Sequence, residues 1–264
     1  MYSTLAIHDI GMTATTTLDD STQHLLAHRE TWRRKPVLRD IYAEFHRAIE
    51  SRLSPIPGPT LEVGGGPGGF KEFREATISF DVTPCPWLDF AGDACRPPLA
   101  PDSVANIVML DVLHHLAYPQ RFFDAANELL KPGGRLVMIE PYVSPLSWCV
   151  YRFIHPEECA MSVRPLDVAL DEPVADPDRA WEGNQAIPTA LFWRDRRKFE
   201  DRYPTLRIIE RRRMSFLLYP LSGGFGYPGL VPARVAPAVR RIDRWMRPIA
   251  RLVAFRCQIV IERC

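Results

Sequence analysis

The sequence predicts a doubly wound α/β fold, and two observations predict it. Short apolar runs, Thr60 to Val63, Thr77 to Phe80, Ala105 to Leu110 and Arg135 to Ile139, alternate with helical segments such as Pro119 to Leu130. Near-continuous apolar runs of this length suit parallel strands covered on both faces, and proline suits the first position of the intervening helix. The second observation is a glycine-rich turn, Gly64-Gly65-Gly66-Pro67-Gly68-Gly69, placed where the first strand gives way to a helix.

The elements follow in order. Residues 1–20 are Thr-rich and aperiodic, and are expected to be loose. Asp20 or Ser21 can cap a first helix, and a second runs from Pro36 to Leu53 with Leu38, Ile41, Tyr42, Phe45, Ile49 and Leu53 on one face. Together they make an N-terminal helical part, 21–55, that needs a sheet to lie on. Residues 58–141 hold the four strands, and Lys131-Pro132-Gly133-Gly134 is a helix stop and turn.

From 142 to 193 the periodicity breaks down into a Pro-rich, aromatic, acidic insertion, too long for a mere connection. Its aromatic residues, Tyr142, Trp148, Tyr151, Phe153, Trp181, Phe192 and Trp193, read as a lid over an apolar or aromatic small molecule, or as a small subdomain core. Regularity returns over 194–264. A helix lies near Arg196 to Arg202, an apolar run spans Leu206 to Ile209 and a Gly/Pro stretch spans Pro220 to Pro232. An amphipathic helix, Ala236 to Val253, is open to kinking at Pro248, and Phe255 to Ile261 is a last strand. Residues 21–264 are thus expected to form a single domain.

Composition narrows the function classes. With 46% hydrophobic and 25% charged residues, the chain is an ordinary globular protein. It has no apolar run of the ~18 residues a membrane helix needs, and no block pattern of a secretory leader, so a cytoplasmic location is expected. The six cysteines form no C-x-x-C pair and no zinc-spaced cluster, so reduced thiols and no metal are expected. The net charge of +1 conceals segregation. Pro156 to Gly183 is acidic and Ala233 to Cys264 is Arg-rich, but the bias toward Arg is discounted as a sign of nucleic acid, and no nucleic-acid partner is expected. Arg240, Arg244, Arg247 and Arg251 form a ladder beside an apolar face of Val235, Val239, Ile242, Trp245, Met246, Ile249 and Leu252. Such a helix over 236–253 either covers the sheet with a solvated charged side or touches an anionic membrane peripherally.

The chemistry is concentrated in the glycine turn. Gly64, Gly66 and Gly69 satisfy G-x-G-x-x-G, which fits a dinucleotide as well as other nucleoside cofactors, because glycine permits close backbone approach and a helix start presents free N–H groups. Glu62, two residues before the first glycine, suits a positively charged cofactor better than a pyrophosphate. Asp81 ends the second strand, where its carboxylate can accept from ribose hydroxyls, and Asp93 in Gly92-Asp93-Ala94 can accept from an adenine amino group. Either aspartate can instead form a turn with its own backbone. The residues alone leave open a nicotinamide-dependent oxidoreductase, or a catalytically silent nucleoside-binding protein.

The order and spacing of E-V-G-G-G-P-G (62–68), the acid at Asp81, G-D-A (92–94), L-D-V-L-H-H-L (110–116) and K-P-G-G-R-L-V-M-I-E-P (131–141) resemble the class I S-adenosylmethionine-dependent methyltransferases. The similarity is to the small-molecule branch that includes the ubiquinone and menaquinone C-methyltransferases. It implies a seven-stranded, mostly parallel, Rossmann-like sheet with an antiparallel last strand and an insertion after strand five. It also implies S-adenosylmethionine as cofactor, with S-adenosylhomocysteine as product, and a small-molecule acceptor methylated on O, C or N. By the same resemblance, Glu62 with Gly64, Gly65, Gly66 and Gly68 hold the methionine end. Asp81 holds the ribose, Asp93 and Ala94 hold the adenine edge, and Leu110 and Asp111 line the far side. A sulfonium is already activated, so the protein aligns, excludes water and removes a proton. His115, just beyond a strand end, is the candidate base and His155 the second, whereas His8, His24, His28 and His46 read as structural.

Overall fold

The inner strands of the sheet are buried on both faces, and this explains their near-continuous apolar sequences. In a computed structural model, residues 20–167 and 182–264 are described. The expectations for residues 1–19, for His8 and for Trp181 lie outside these described residues. Two helices, α1 (Asp20–Arg34) and α2 (Pro36–Glu50), precede β1 (Thr60–Val63), α3 (Gly69–Phe73), β2 (Thr77–Asp81), β3 (Phe90–Ala91) and β4 (Val104–Leu110). Next come α4 (Pro119–Leu129), β5 (Leu130–Pro141), α5 (Pro145–Phe153), α6 (Ile187–Thr189), α7 (Arg196–Arg202) and β6 (Leu206–Met214). The chain closes through α8 (Leu218–Leu221), α9 (Ala236–Trp245), α10 (Ala250–Val253) and β7 (Arg256–Arg263).

The seven strands lie in the order β3-β2-β1-β4-β5-β7-β6. The first five pair in parallel, while β7 is antiparallel to both neighbours, running Arg135 opposite Glu262 through Pro141 opposite Arg256. The expected inserted last strand is therefore present. Side chains alternate between two cores, as the pleat requires. Leu136, Met138 and Ile259 meet Phe122 and Phe123 of α4 and Phe192 and Phe199 on one face, whereas Val137, Ile139 and Val260 meet Leu38, Ile41, Phe45 and Ile49 of α2 on the other. Strand order reverses between β1 and β4, so their carboxyl ends part and open a crevice, the place where ligands bind in such sheets.

Several boundaries differ from the sequence expectation. The helix over 236–253 is broken, with a separate tight turn at Arg247–Ile249 between α9 and α10, because Pro248 has no N–H to continue the ladder. The second helix stops at Glu50, and a short strand, Phe90–Ala91, is added at the sheet's edge. The run from Leu206 extends to Met214 as an edge strand. The aromatic insertion also divides. Tyr142 and Phe192 join the main core, Tyr151 belongs to a small cluster with Phe255, and Trp148 and Phe153 are exposed, Phe153 by 75%.

Phe123 is fully buried, with the rings of Phe192, Phe199 and Tyr203 between 4.9 and 6.1 Å from its own. Phe123→Ala leaves a cavity between α4, α7 and the sheet and is expected to lower unfolding free energy by about 3–5 kcal/mol in a urea titration.

Candidate active site

Three acids stand at the ends of three adjacent strands. Glu62 belongs to β1, is buried, and accepts a hydrogen bond from Ser79 Oγ of β2 at 2.6 Å. Burial pushes its carboxyl up to about 7 despite that hydrogen bond, leaving an acid that a nearby cation would readily ionise. Asp81, at the end of β2, accepts from Gly66 N at 2.9 Å and Thr83 N at 3.1 Å, and burial raises its pKa. Asp93 follows β3. One of its oxygens accepts from Cys95 N at 2.9 Å, in the turn geometry that was the alternative reading, but its Oδ2 is buried without a partner.

The glycine turn is shaped by what surrounds it. At Gly65 a Cβ would lie 2.2 Å from Ser79 Oγ, and at Gly64, where φ is +69°, it would lie 2.3 Å from Val112. At Gly66, where φ is +45°, a Cβ would meet only Gly64 O and Leu25 within 4 Å, so that side of the turn is open. Gly68 packs under Trp87, whose indole N–H donates to Gly66 O at 2.8 Å, and Arg29 of α1 donates to Pro67 O while stacking over the Trp87 ring at 4.3 Å. Neither Arg29 nor Trp87 was legible as part of the turn, because the contacts span 38 and 21 residues.

Beyond β4 the chain makes a short turn, Leu113–His115, organised by Glu140 at the end of β5. Glu140 is fully buried; one oxygen accepts from Val112 N at 2.9 Å and Leu113 N at 2.8 Å, and the other pairs with His114 Nδ1 at 2.8 Å. Burial alone would raise this carboxyl, yet His114 and the two N–H donors hold it below its ordinary value. Burial would likewise lower His114, but Glu140 and Glu157 outweigh it and raise the imidazole to about 9. His115 is the opposite case, lowered by burial and then by His114 to about 4, with Nδ1 buried and unpartnered. Glu157, from the insertion, is held at about 2 by these imidazoles against the effect of burial. His155 is lowered by burial and accepts from the Glu157 backbone N–H at 3.3 Å, and the Glu157 carboxylate acts electrostatically on both His155 and His115.

Leu110 and Asp111 stand where β4 ends, and Asp111 adopts φ +61°, an uncommon conformation outside glycine. Its carboxylate is paired with Arg256 through both guanidinium nitrogens and accepts from Tyr42 OH at 2.9 Å, while Arg256 also donates to Tyr219 OH and lies over that ring at 4.3 Å. Asp111 thus anchors α2, α8 and β7 to the site's rim. Arg256, 145 residues away in sequence, carried no signal beyond an unexpected charge at the start of a buried strand. Ala94 packs at the edge of the main core beside Asp93.

With this geometry in place, comparison with known proteins is informative. Residues 61–138 match the methyltransferase domain family. Among solved structures, a S-adenosylmethionine-dependent methyltransferase from Archaeoglobus fulgidus is 16% identical with a TM-score of 0.50, covering 85% of this chain and 94% of its own. A S-adenosylmethionine-dependent methyltransferase from Thermotoga maritima is 15% identical with a TM-score of 0.51, covering 91% and 99%. At these identities the likeness shows the fold. No curated protein matches the chain.

Removing Glu140 strands two buried N–H groups and a charged imidazole together. Glu140→Ala is expected to cost about 3–5 kcal/mol in a urea titration, the range for breaking a buried charged pair from one side.

Proposed function

We propose that this chain is an S-adenosylmethionine-dependent methyltransferase of a small, largely apolar acceptor, a reading supported by the match of residues 61–138 to the methyltransferase domain and by the shared fold. One observation carries the assignment of the cofactor's place: Glu62, Asp81 and Asp93 end three adjacent strands, and Asp93 Oδ2 is a buried acceptor lacking a donor. Buried acceptors are rarely left unpaired, and an adenine amino group is a fitting donor. S-adenosylmethionine supplies a methyl group already activated on a sulfonium. Toward it, Glu62 opposes positive charge, the open side of Gly66 admits close approach, and Asp81 has lone pairs left for ribose hydroxyls.

The other residues serve the acceptor. His115 is neutral at physiological pH and keeps a free nitrogen lone pair, as a base must. His155 lies beside Glu157 as its alternate. Tyr42, Tyr219 and Arg256 form a rigid polar wall on Asp111 that orients without moving.

The acceptor's apolar character is inferred from the molecule's outer surface. No helix among the described residues is long and apolar enough to cross a membrane. However, Ile242, Trp245, Ile249 and Leu252 point outward, Trp245 with 75% exposure, and α10 packs beside α5, which exposes Trp148 and Phe153. The expected arginine ladder needs one correction: Arg240 is tied to Glu44 at 2.6 Å and faces Asp40, so it belongs to the packing against α2. Arg241, Arg244, Arg247 and Arg251 remain exposed. An apolar surface ringed by arginines suits the interface of an anionic bilayer, from which a lipid-like acceptor would be collected.

Three outcomes test this reading. Asp81→Ala should weaken S-adenosylhomocysteine binding by about 1–3 kcal/mol in calorimetry, the cost of an unpaired buried polar group, and unchanged binding by a folded variant removes Asp81 from the site. Binding of S-adenosylmethionine should weaken as pH falls from 7.5 to 5.5, by up to about tenfold per unit. The sign follows from Glu62, which titrates at about 7 when free and must lose its proton to face a cation. Glu62→Gln should abolish that dependence. Finally, the protein should co-sediment with phosphatidylserine-containing vesicles at low salt but not high salt. Replacing Arg244, Arg247 and Arg251 by Gln together with Trp245→Ser should release it. Methylation of a water-soluble acceptor by a protein that ignores such vesicles would refute the membrane part alone.

A further inference from the structure

Outside the cofactor's acids, one cluster has donors arranged toward a common point. We propose that His114, His115 and Glu157 bind a divalent transition-metal ion of the zinc type. The sequence led to the expectation of no metal, against which this proposal stands, because the ligands are two adjacent histidines and an acid 42 residues later, a spacing that matches no zinc motif.

The three donors are close enough for small side-chain adjustments to bring them onto one ion. One donor atom from each residue lies within 4.8 Å of the other two. His114 Nε2 and Glu157 Oε2 are 3.4 Å apart, about the edge of a tetrahedron whose bonds are ~2.1 Å long. The support behind the ligands is also in place. Glu140 Oε2 sits 2.8 Å from His114 Nδ1, so a proton stays on that nitrogen, while Nε2, which faces Glu157, gives up its own proton to the solvent when the ion binds. Such a carboxylate behind a ligating imidazole fixes its tautomer and orientation.

A second, independent observation comes from His115. Its Nδ1 is buried without a partner, while the ring's other nitrogen bonds to the Glu182 backbone. A buried nitrogen of this kind lacks an explanation in the protein's own contacts. The space beside it is kept by Gly183, where a Cβ would lie 2.8 Å from His115 Nδ1 and 3.0 Å from Glu157 Oε2. A side chain at 183 would therefore crowd the space between His115 Nδ1 and Glu157 Oε2, two of the three donors.

Two imidazole nitrogens and one carboxylate oxygen favour zinc, iron, cobalt or nickel over magnesium or calcium. Three protein ligands leave a position open, as in catalytic zinc sites. The site stands on the turn that leaves β4, next to the crevice, so an acceptor's hydroxyl could occupy that position and lose its proton more readily. This last role rests on the methyltransferase reading and would take the place of direct proton removal by His115, whose Nδ1 is then a ligand, whereas metal binding itself does not rest on that reading.

The test uses the metal alone. After treatment with a chelator and its removal, the full chain is titrated with Zn²⁺ by calorimetry, and a parallel sample is loaded with Co²⁺ and examined for the visible absorption of four-coordinate cobalt. One ion per chain is expected, with affinity lowered at least tenfold in both His115→Ala and Glu157→Gln and roughly 10–100-fold in Glu140→Gln, the usual effect of losing a carboxylate behind a ligand. Circular dichroism establishes that each variant is folded, and His115→Ala and Glu157→Gln should still bind S-adenosylhomocysteine. Absence of stoichiometric Zn²⁺ binding, or equal binding by folded His115→Ala and Glu157→Gln, overturns the proposal. Zinc binding in a wild-type chain that ignores S-adenosylhomocysteine would instead overturn the functional reading and leave the metal site standing.

Discussion

The candidate site depends on one buried carboxylate, Glu140. It has no exposure to solvent and ends the central strand β5, where it receives two backbone N–H groups and one imidazole from the turn that leaves β4. Burying a carboxylate is costly unless each lone pair finds a donor, and here the donors come from consecutive residues, Val112, Leu113 and His114. The turn can take one shape only if it keeps all three. That shape sets His115 beside Glu157 and brings the insertion back to the strand ends, where Asn184 N bonds to His114 O at 2.9 Å.

A comparable constraint acts on the other side of β4. Asp111 holds a backbone conformation that non-glycine residues seldom adopt, and the pairing with Arg256 and Tyr42 compensates for it. The two carboxylates thus divide the labour. Glu140 shapes the turn toward the insertion, and Asp111 fastens the N-terminal helices and the last strand to the rim. Glu62, Asp81 and Asp93, the acids proposed for the cofactor, lie on β1, β2 and the loop after β3, across the point where strand order reverses from the groups proposed for the acceptor.

How much of this was legible in the sequence follows from the range of each interaction. Apolar runs, the glycine turn and the order of acids are local patterns, and they were sufficient for the doubly wound sheet and for placing Glu62, Asp81 and Asp93 near strand ends, whereas the inserted antiparallel strand came from the family resemblance. The helix from Ala236 was legible as amphipathic but not in its orientation: Val239 and Met246 turn inward while Trp245 and Leu252 turn outward. Pro248 breaks the helix, which allows the two faces to part. Arg256, Glu140, Glu157 and Trp87 were missed as functional neighbours because each acts on a partner 21 to 145 residues away. Such a pairing leaves no periodicity and no motif. A charged residue within an otherwise apolar strand is the only trace available, and both Glu140 and Arg256 show it.

A crystal structure of the chain with S-adenosylhomocysteine tests the central claim most directly. The account predicts the ribose hydroxyls on Asp81 and the adenine amino group within hydrogen-bond reach of Asp93 Oδ2, about 3 Å. The amino-acid end should lie over Gly66 on the side of Glu62. A nucleoside bound away from these three strand ends, with Asp93 Oδ2 still lacking a donor, would contradict it.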